Sequence, residues 1–342
     1  MCGIYWLLHT NGVNVNENTI EASFNKGVGR GPDNSKFKSI KNNFIGFHRL
    51  SINDLTTGGD QPFDFESCVL VCNGEIYNHT ELAYEHDLQL SGSSDCEVII
   101  HLYKKYGISK TLNLLDGVFA FVLYDTIQDT LFVARDIYGV RPLFYTFTKN
   151  RLEIASEMKM ISGDLSNCIQ FPPGKCMIMS NNHNELLQTS FYKYYHLNSK
   201  KEITKKINET IFNALNDAVK KRVENTERPI GCLLSGGLDS SIIASLINNN
   251  LSDKCKLKTF SIGLEGSVDI EYSRIMSSYL NSDHTEIIVT EEEMLESIPE
   301  VIKAIESYDT TTVRASVGNW LIGKKISELS DGIHKKIWAK VA

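Results

Sequence analysis

The chain opens Met1-Cys2-Gly3-Ile4-Tyr5-Trp6-Leu7-Leu8, and its second residue decides how the rest is read. Removal of Met1 would leave an α-amine and a thiol on one residue. Such groups titrate near ~7.7–8.0 and ~8.5, so both exchange protons close to neutrality. An N-terminal amine that activates its own side chain is a route to a nucleophile. Taken alone, Cys at position 2 also reads as an accident of translation, because short motifs carry false positives. The apolar run from Cys2 to Leu8 predicts a buried strand.

Working outward, Asn11 to Asn18 is turn material, and Arg30-Gly31-Pro32-Asp33 is a turn by composition. Phe44 to Phe47 predicts a strand, followed by His48-Arg49-Leu50-Ser51-Ile52-Asn53-Asp54. Val69 to Cys72 is a second apolar run, ending in Asn73-Gly74-Glu75-Ile76-Tyr77-Asn78; Asn-Gly after a strand predicts a hairpin turn. The polar loop Ser91-Gly92-Ser93-Ser94-Asp95-Cys96-Glu97 can cap a helix from Val98 to Tyr106 closed by Gly107, which makes Asp95 a helix-start residue. Gly117 to Asp125, Thr130 to Arg135, Leu143 to Phe147 and Leu152 to Ser156 are rich in aromatic and β-branched residues and predict strands. Between them lies Arg135-Asp136-Ile137-Tyr138-Gly139-Val140-Arg141-Pro142. Many short strands with inserted helices predict stacked antiparallel sheets.

The whole chain bounds the reading. Its 342 residues suit two domains, and 42% hydrophobic with 23% charged residues describes an ordinary globular protein. A net charge of −7 leaves no basic footprint for nucleic acid or an anionic membrane. No apolar run approaches a membrane span, and Ile4 to Leu8 lacks the basic leader of a secretory signal. None of the eight cysteines forms a C-x-x-C pair and most lie in apolar segments, which points to a reducing cytoplasm and away from structural zinc.

In the second half, Asn182 to Lys201 reads as a connection between domains. Ile203, Ile207, Ile211, Leu215, Ala218, Val219 and Val223 repeat at helical spacing and predict an amphipathic helix with a core-facing stripe. A short strand, Pro229 to Leu234, opens into Ser235-Gly236-Gly237-Leu238-Asp239-Ser240-Ser241 and a helix. Strand, Gly-rich turn and helix N-terminus build an anion site; the same composition also reads as a tight turn capped by Asp or Ser. No lysine stands where a P-loop requires one. A strand Thr259 to Gly263, a helix Tyr272 to Leu280 and a strand His284 to Val289 follow, then helical Glu291 to Tyr308. Thr290 and Glu293 have capping-box spacing, and Pro299 is expected to divide the helix. The alternation predicts a parallel sheet covered on both faces.

The order of Cys2-Gly3-Ile4, Arg30-Gly31-Pro32-Asp33, His48-Arg49-Leu50-Ser51-Ile52, Asn73 to Asn78 and Ser94-Asp95-Cys96-Glu97 resembles the glutaminase domain of class II glutamine amidotransferases. That resemblance implies an α+β N-terminal-nucleophile sandwich, helix/sheet/sheet/helix, over 2–190. Cys2 would then be the nucleophile. The Asn73 side-chain amide and the Gly74 backbone N–H would hold the oxyanion. Arg49 would bind the glutamine α-carboxylate, Asp95 with Glu75 the α-ammonium, and the backbone of Leu50, Ser51, Ile52 and Asn53 would line the pocket.

The loop Ser235 to Ser241 resembles the pyrophosphate loop of adenylating enzymes, so the chain as a whole resembles the glutamine-dependent asparagine synthetase family. Over 203–342 this implies an α/β parallel-sheet, adenine-nucleotide hydrolase-like domain, incomplete at its end. ATP would meet Leu233, Ser235, Gly236, Gly237, Leu238, Asp239, Ser240, Ser241 and Ile262, with Mg²⁺ on Asp239 and no prosthetic group. Thr311 and Arg314, in Ser307-Tyr308-Asp309-Thr310-Thr311-Thr312-Val313-Arg314, would face aspartate or its adenylate; the same segment also reads as a Thr-capped helix start. The implied activity is cytoplasmic amidation of aspartate by glutamine-derived ammonia through a Cys2 thioester and a β-aspartyl-AMP, with small molecules as partners and a homodimer as assembly. Val317-Gly318-Asn319-Trp320 departs from the family pattern. His334 to Ala342 stands where a second phosphate loop is due, which is expected to cost the sheet a strand and half the nucleotide site. A glutaminase alone, or an inert regulatory or interaction fragment, is the alternative.

Overall fold

The computed structural model describes residues 1–9, 16–148, 150–180, 206–252 and 255–329, with backbone alone at 185–190, 206 and 338–339. Most of the turn material after Asn11, most of the connection after Asn182 and most of His334 to Ala342 lie outside the described residues. Two compact units divide the chain, Met1–Leu197 and Asn198–Ala342.

The first unit runs β1 (Gly3–His9), α1 (Glu17–Phe24), β2 (Asn34–Ile40), β3 (Asn43–Arg49), β4 (Phe63–Phe65), β5 (Cys68–Ile76), α2 (His79–Glu85), α3 (Val98–Tyr106) and α4 (Ile108–Leu114). It continues with β6 (Gly117–Asp125), β7 (Thr130–Arg135), β8 (Phe144–Thr148), β9 (Arg151–Ala155), β10 (Ile169–Gln170), β11 (Lys175–Ser180) and β12 (Glu185–Ser190). Two six-stranded sheets result, ordered β10-β8-β9-β1-β3-β2 and β12-β11-β7-β6-β5-β4, and their strand pairs are antiparallel.

Alternation along each strand builds the layers. Ile4, Trp6 and Leu8 of β1 join Val69, Val71, Ala120, Val122 and Tyr124 in the core between the sheets. The intervening Tyr5 and Leu7 pack with Ile20 and Phe24 of α1 on the outer face. Leu70, Cys72, Phe121 and Leu123 pack with Val98, Ile99 and Leu102 of α3 on the other. Helix/sheet/sheet/helix is therefore the order of layers. Because both faces of the central strands are covered, they read as continuous apolar runs rather than as alternating ones.

Two expectations for this unit are corrected. Asn73-Gly74 makes no hairpin: β5 runs through both, pairing Asn73 with Ala120 and Gly74 with Phe119 of β6. Long-range pairing between buried strands overrides the local turn signal. Glu185–Ser190, expected in the connection, instead pairs with β11 as the edge strand β12.

The second unit runs α5 (Lys206–Glu224), β13 (Ile230–Leu233), α6 (Leu238–Asn250), β14 (Lys258–Gly263), α7 (Val268–Leu280), β15 (Asp283–Ile288), α8 (Glu291–Ile305), α9 (Thr310–Leu329) and β16 (Trp338–Ala339). Its sheet is parallel, ordered β15-β14-β13-β16. The end segment expected to cost the sheet a strand supplies a short one, β16, beside β13, Ile230 pairing with Trp338.

Three further corrections concern helices. Pro299 does not divide α8, which is continuous from Glu291 to Ile305. The carbonyl it deprives of a donor belongs to exposed Leu295, where solvent can replace the lost bond. The stripe of α5 is only half core: Val219 is buried and Val223 packs beside it, but Ile207, Ile211 and Leu215 stay exposed. The start of α9 is held by Asp309, whose carboxylate accepts from Thr312 N at 2.9 Å, rather than by a Thr cap.

Candidate active site

Cys2 lies one residue before β1, at the edge of the sheet–sheet core. Its backbone is fixed by Arg30, whose Nε donates to the Cys2 carbonyl at 2.9 Å while Nη1 pairs with Glu157 at 3.1 Å. The thiol meets the end of β3, donating to the Leu50 carbonyl at 3.6 Å and accepting from Leu50 N at 3.4 Å. Burial pushes this thiol up, opposed by the nearby chain amine, the Leu50 N–H and Arg141. Burial likewise pulls the amino group of Met1 down to about 5, aided by Arg30 and Arg141 and opposed by Cys2 and Glu75.

Around the thiol is a cleft of about 30 Å³, lined by Cys2, Arg49, Leu50, Ile52, Asn53, Gly74, Glu75 and Asp95 among others. Eight of the ten residues expected around glutamine thus meet at one place. Ser51 and Asn73 do not line it, though both are buried and adjacent to residues that do.

Each wall has a local cause. Arg49 ends β3, and its Nη1 reaches Asp60 at 2.6 Å and the Thr56 carbonyl at 2.6 Å, while Nη2 donates to the Asp54 carbonyl. The loop 54–60 is thereby wrapped around a guanidinium that is nearly out of solvent. Asp95 is not a side-chain cap for α3. Its Oδ2 accepts from Ile76 N at 2.8 Å, locking the end of β5. Burial raises Asp95, opposed by that N–H, His79 and Asn53, and an incoming cation would favour its charged form. Glu75 pairs with Arg141 at 2.9 Å, both side chains being buried. The Nδ2 of Asn73 is buried and makes no hydrogen bond, a donor with no acceptor next to Gly74.

Sequence reasoning missed several contributors. Gln61 holds Cys72, accepting from its N–H at 2.6 Å and donating to its carbonyl at 3.1 Å, and so supports the strand just before Asn73. Cys72 and Cys96 line the cleft beside Cys2. Arg30 and Arg141 lay inside motifs already singled out, but nothing in their spacing tied them to Cys2 or Glu75.

In the second unit, Ser235 to Ser241 bridges β13 and α6. Gly236 sits at φ +78, and a Cβ there would lie 2.6 Å from Ser273 N, so only glycine lets the loop lie against α7. The Ser235 and Ser240 hydroxyls meet at 3.0 Å. Gly237 is the N-cap of α6 and no side chain caps the helix, which sets aside the reading of an Asp- or Ser-capped turn. The first-turn N–H groups have no capping side chain, as an anion site requires. Asp239 and Leu238 are exposed there, while Leu233 and Ile262 are partly buried at the ends of β13 and β14. Thr311 and Arg314 are exposed on the first turns of α9, and no hydrogen bond or ion pair among the described residues joins them to the loop. No group of three or more His, Cys, Asp or Glu suited to a metal occurs among the described residues.

Comparison with known proteins gives the arrangement its context. Residues 1–208 match the glutamine amidotransferase domain family and residues 210–331 match asparagine synthase. The chain is 38% identical to the asparagine synthetase [glutamine-hydrolyzing] of Rattus norvegicus and 37% identical to that of Homo sapiens, over 97% of this chain and 64% of each relative. The relative from Gallus gallus is 35% identical over the same shares. The chain spans a little under two thirds of the length of these relatives. With the glutamine amidotransferase match covering more than half of its residues and Cys2 set in a cleft between two stacked sheets, the chain belongs to the glutamine amidotransferase domain family.

Proposed function

We propose that the first unit hydrolyses glutamine at Cys2 and that the second uses the ammonia to amidate aspartate at the expense of ATP. The observation that carries this reading is the meeting of Cys2 with Arg49, Gly74, Glu75 and Asp95 in one cleft. After Met1 is removed, the α-amine of Cys2 would take the thiol proton, directly or through water, and the sulfur would attack the amide carbon. The oxyanion would be met by the unpartnered Nδ2 of Asn73 and the N–H of Gly74. The proton passes to the leaving nitrogen, ammonia departs, and water cleaves the Cys2 thioester to glutamate. Arg49 would hold the substrate carboxylate as a two-pronged donor. Asp95 and Glu75 would hold its ammonium.

In the second unit, the uncapped start of α6 would receive the pyrophosphate of ATP within Ser235 to Ser241, with the adenosine between Leu233 and Ile262. Asp239 is a hard oxygen donor suited to Mg²⁺, which commonly takes one or two protein carboxylates and completes its shell with phosphate and water. Mg²⁺ there would offset phosphate charge. Thr311 and Arg314 would attend the aspartyl adenylate. The small-molecule partners are therefore glutamine, aspartate and ATP, in domains spanning 2–190 and 203–342. Eight free cysteines are in keeping with a reducing cytoplasm.

Cys2→Ala tests the central claim. Glutamate release should fall to background with an unchanged circular-dichroism spectrum. Undiminished release, or an active protein whose intact mass still includes Met1, would remove Cys2 from its role.

A further inference from the structure

Arg141 is delivered to Glu75, in the wall of the cleft, by a loop built for it. After β7, the Asp136 carboxylate accepts from the N–H groups of Tyr138 at 3.0 Å, Val140 at 3.1 Å and Arg141 at 3.2 Å. Arg135 closes the turn from the other side, donating to the carbonyls of Arg141 and Gly139 at 2.6 Å each. The guanidinium that emerges is buried, and its Nη2 meets Glu75 Oε1 at 2.9 Å. Its Nε is also buried and has no hydrogen-bond partner. The pair therefore does not satisfy every donor, as an ion pair kept for stability alone should.

Glu75 follows Gly74 in β5 and lines the cleft, whereas Arg141 does not. Asp95, a second buried acid, lines the same cleft. The guanidinium paired with Glu75 fixes where that carboxylate's oxygens point.

We propose that Arg141 is a positioning residue for glutamine: its buried ion pair holds the Glu75 carboxylate in the wall of the Cys2 cleft, oriented to receive the substrate's α-ammonium. The inference rests on glutamine being the ligand of this cleft. Arg141 acts through Glu75 and touches no reacting atom. Its loss should weaken glutamine binding more than it slows the chemical step.

The experiment follows alkylation of Cys2 by iodoacetamide in the full chain, with glutamine as the protecting ligand and glutamate release measured alongside. Arg141→Gln should raise the half-protecting glutamine concentration about tenfold, the size of one charge-assisted hydrogen bond. Arg141→Lys should recover part of that loss. In a Glu75→Gln background the Arg141→Gln change should add little, since its route is already cut. Where Arg141→Gln fails to fold, the Lys variant and the double variant, which leaves no lone charge buried, carry the comparison. An unchanged half-protecting concentration, an equal effect with and without Glu75, or no protection of the wild-type thiol by glutamine would each overturn the proposal. Protection without glutamate release would remove the hydrolytic reading and leave the role of Arg141 standing.

Discussion

Arg49 is held by a residue that has no side chain. A Cβ on Gly59 would collide with Nη2 of Arg49 and lie 2.9 Å from Cζ and 3.0 Å from the Asp54 carbonyl. The guanidinium cannot swing away cheaply, because Asp60 and the Thr56 carbonyl fix it. Gly59→Ala should therefore displace the fork proposed to bind the substrate carboxylate. We expect KM for glutamine to rise about tenfold or more and stability to fall by about 1–3 kcal/mol, the usual cost of overpacking. Glutaminase kinetics and thermal denaturation check this, and an unchanged KM would show that Arg49 is not the carboxylate anchor. Arg49 itself was legible from its place in His48-Arg49-Leu50-Ser51-Ile52. Gly59 and Gln61 were not, because a glycine or a glutamine in a loop carries no periodicity and gains its meaning only from what packs against it.

The element that follows its sequence most closely is the start of α8. Thr290 Oγ1 accepts from Glu293 N at 3.2 Å, and the Glu293 carboxylate accepts from Thr290 N at 2.9 Å. Those bonds, with Lys325 of α9 held near Glu293 at 3.5 Å, lower the Glu293 carboxyl below its usual range. Thr290→Ala should destabilise the second unit by about 1 kcal/mol, as loss of a helix cap does, seen as a lower denaturation midpoint at unchanged m-value. No shift would mean that the tertiary contacts of α8 carry its start unaided. The helix α3 closed at Gly107, and strands β6 and β7 took their expected bounds, since their signals lie within a few residues. Asn73-Gly74 and Pro299 went the other way: each is a strong local breaker, and each was overruled, by the β5–β6 pairing and by helix continuity at an exposed turn.

At the scale of the molecule, the two proposed chemistries fall in two units, and their independence can be measured. Arg314→Ala, on the first turns of α9, should depress asparagine and pyrophosphate formation while sparing glutamate release. Assaying the three products together, with glutamine or ammonium as nitrogen source, checks this. Equal loss of all three would make Arg314 a structural residue. What the sequence determined by itself was chemical identity and local form: a thiol at position 2, a Gly-rich turn between strand and helix, the alternation of strands and helices. These follow from residue type and short-range periodicity, which the linear order contains. Tertiary structure alone decided which buried charges meet. Arg141 reaches Glu75 across 66 residues, and Gln61 and Asp95 reach β5 from separate loops. Such pairings depend on sheet register and on loop paths closed over long separations, where no local pattern marks the partner. The candidate nucleophile could be read from the order of residues; the walls of its cleft exist only once the two sheets have stacked.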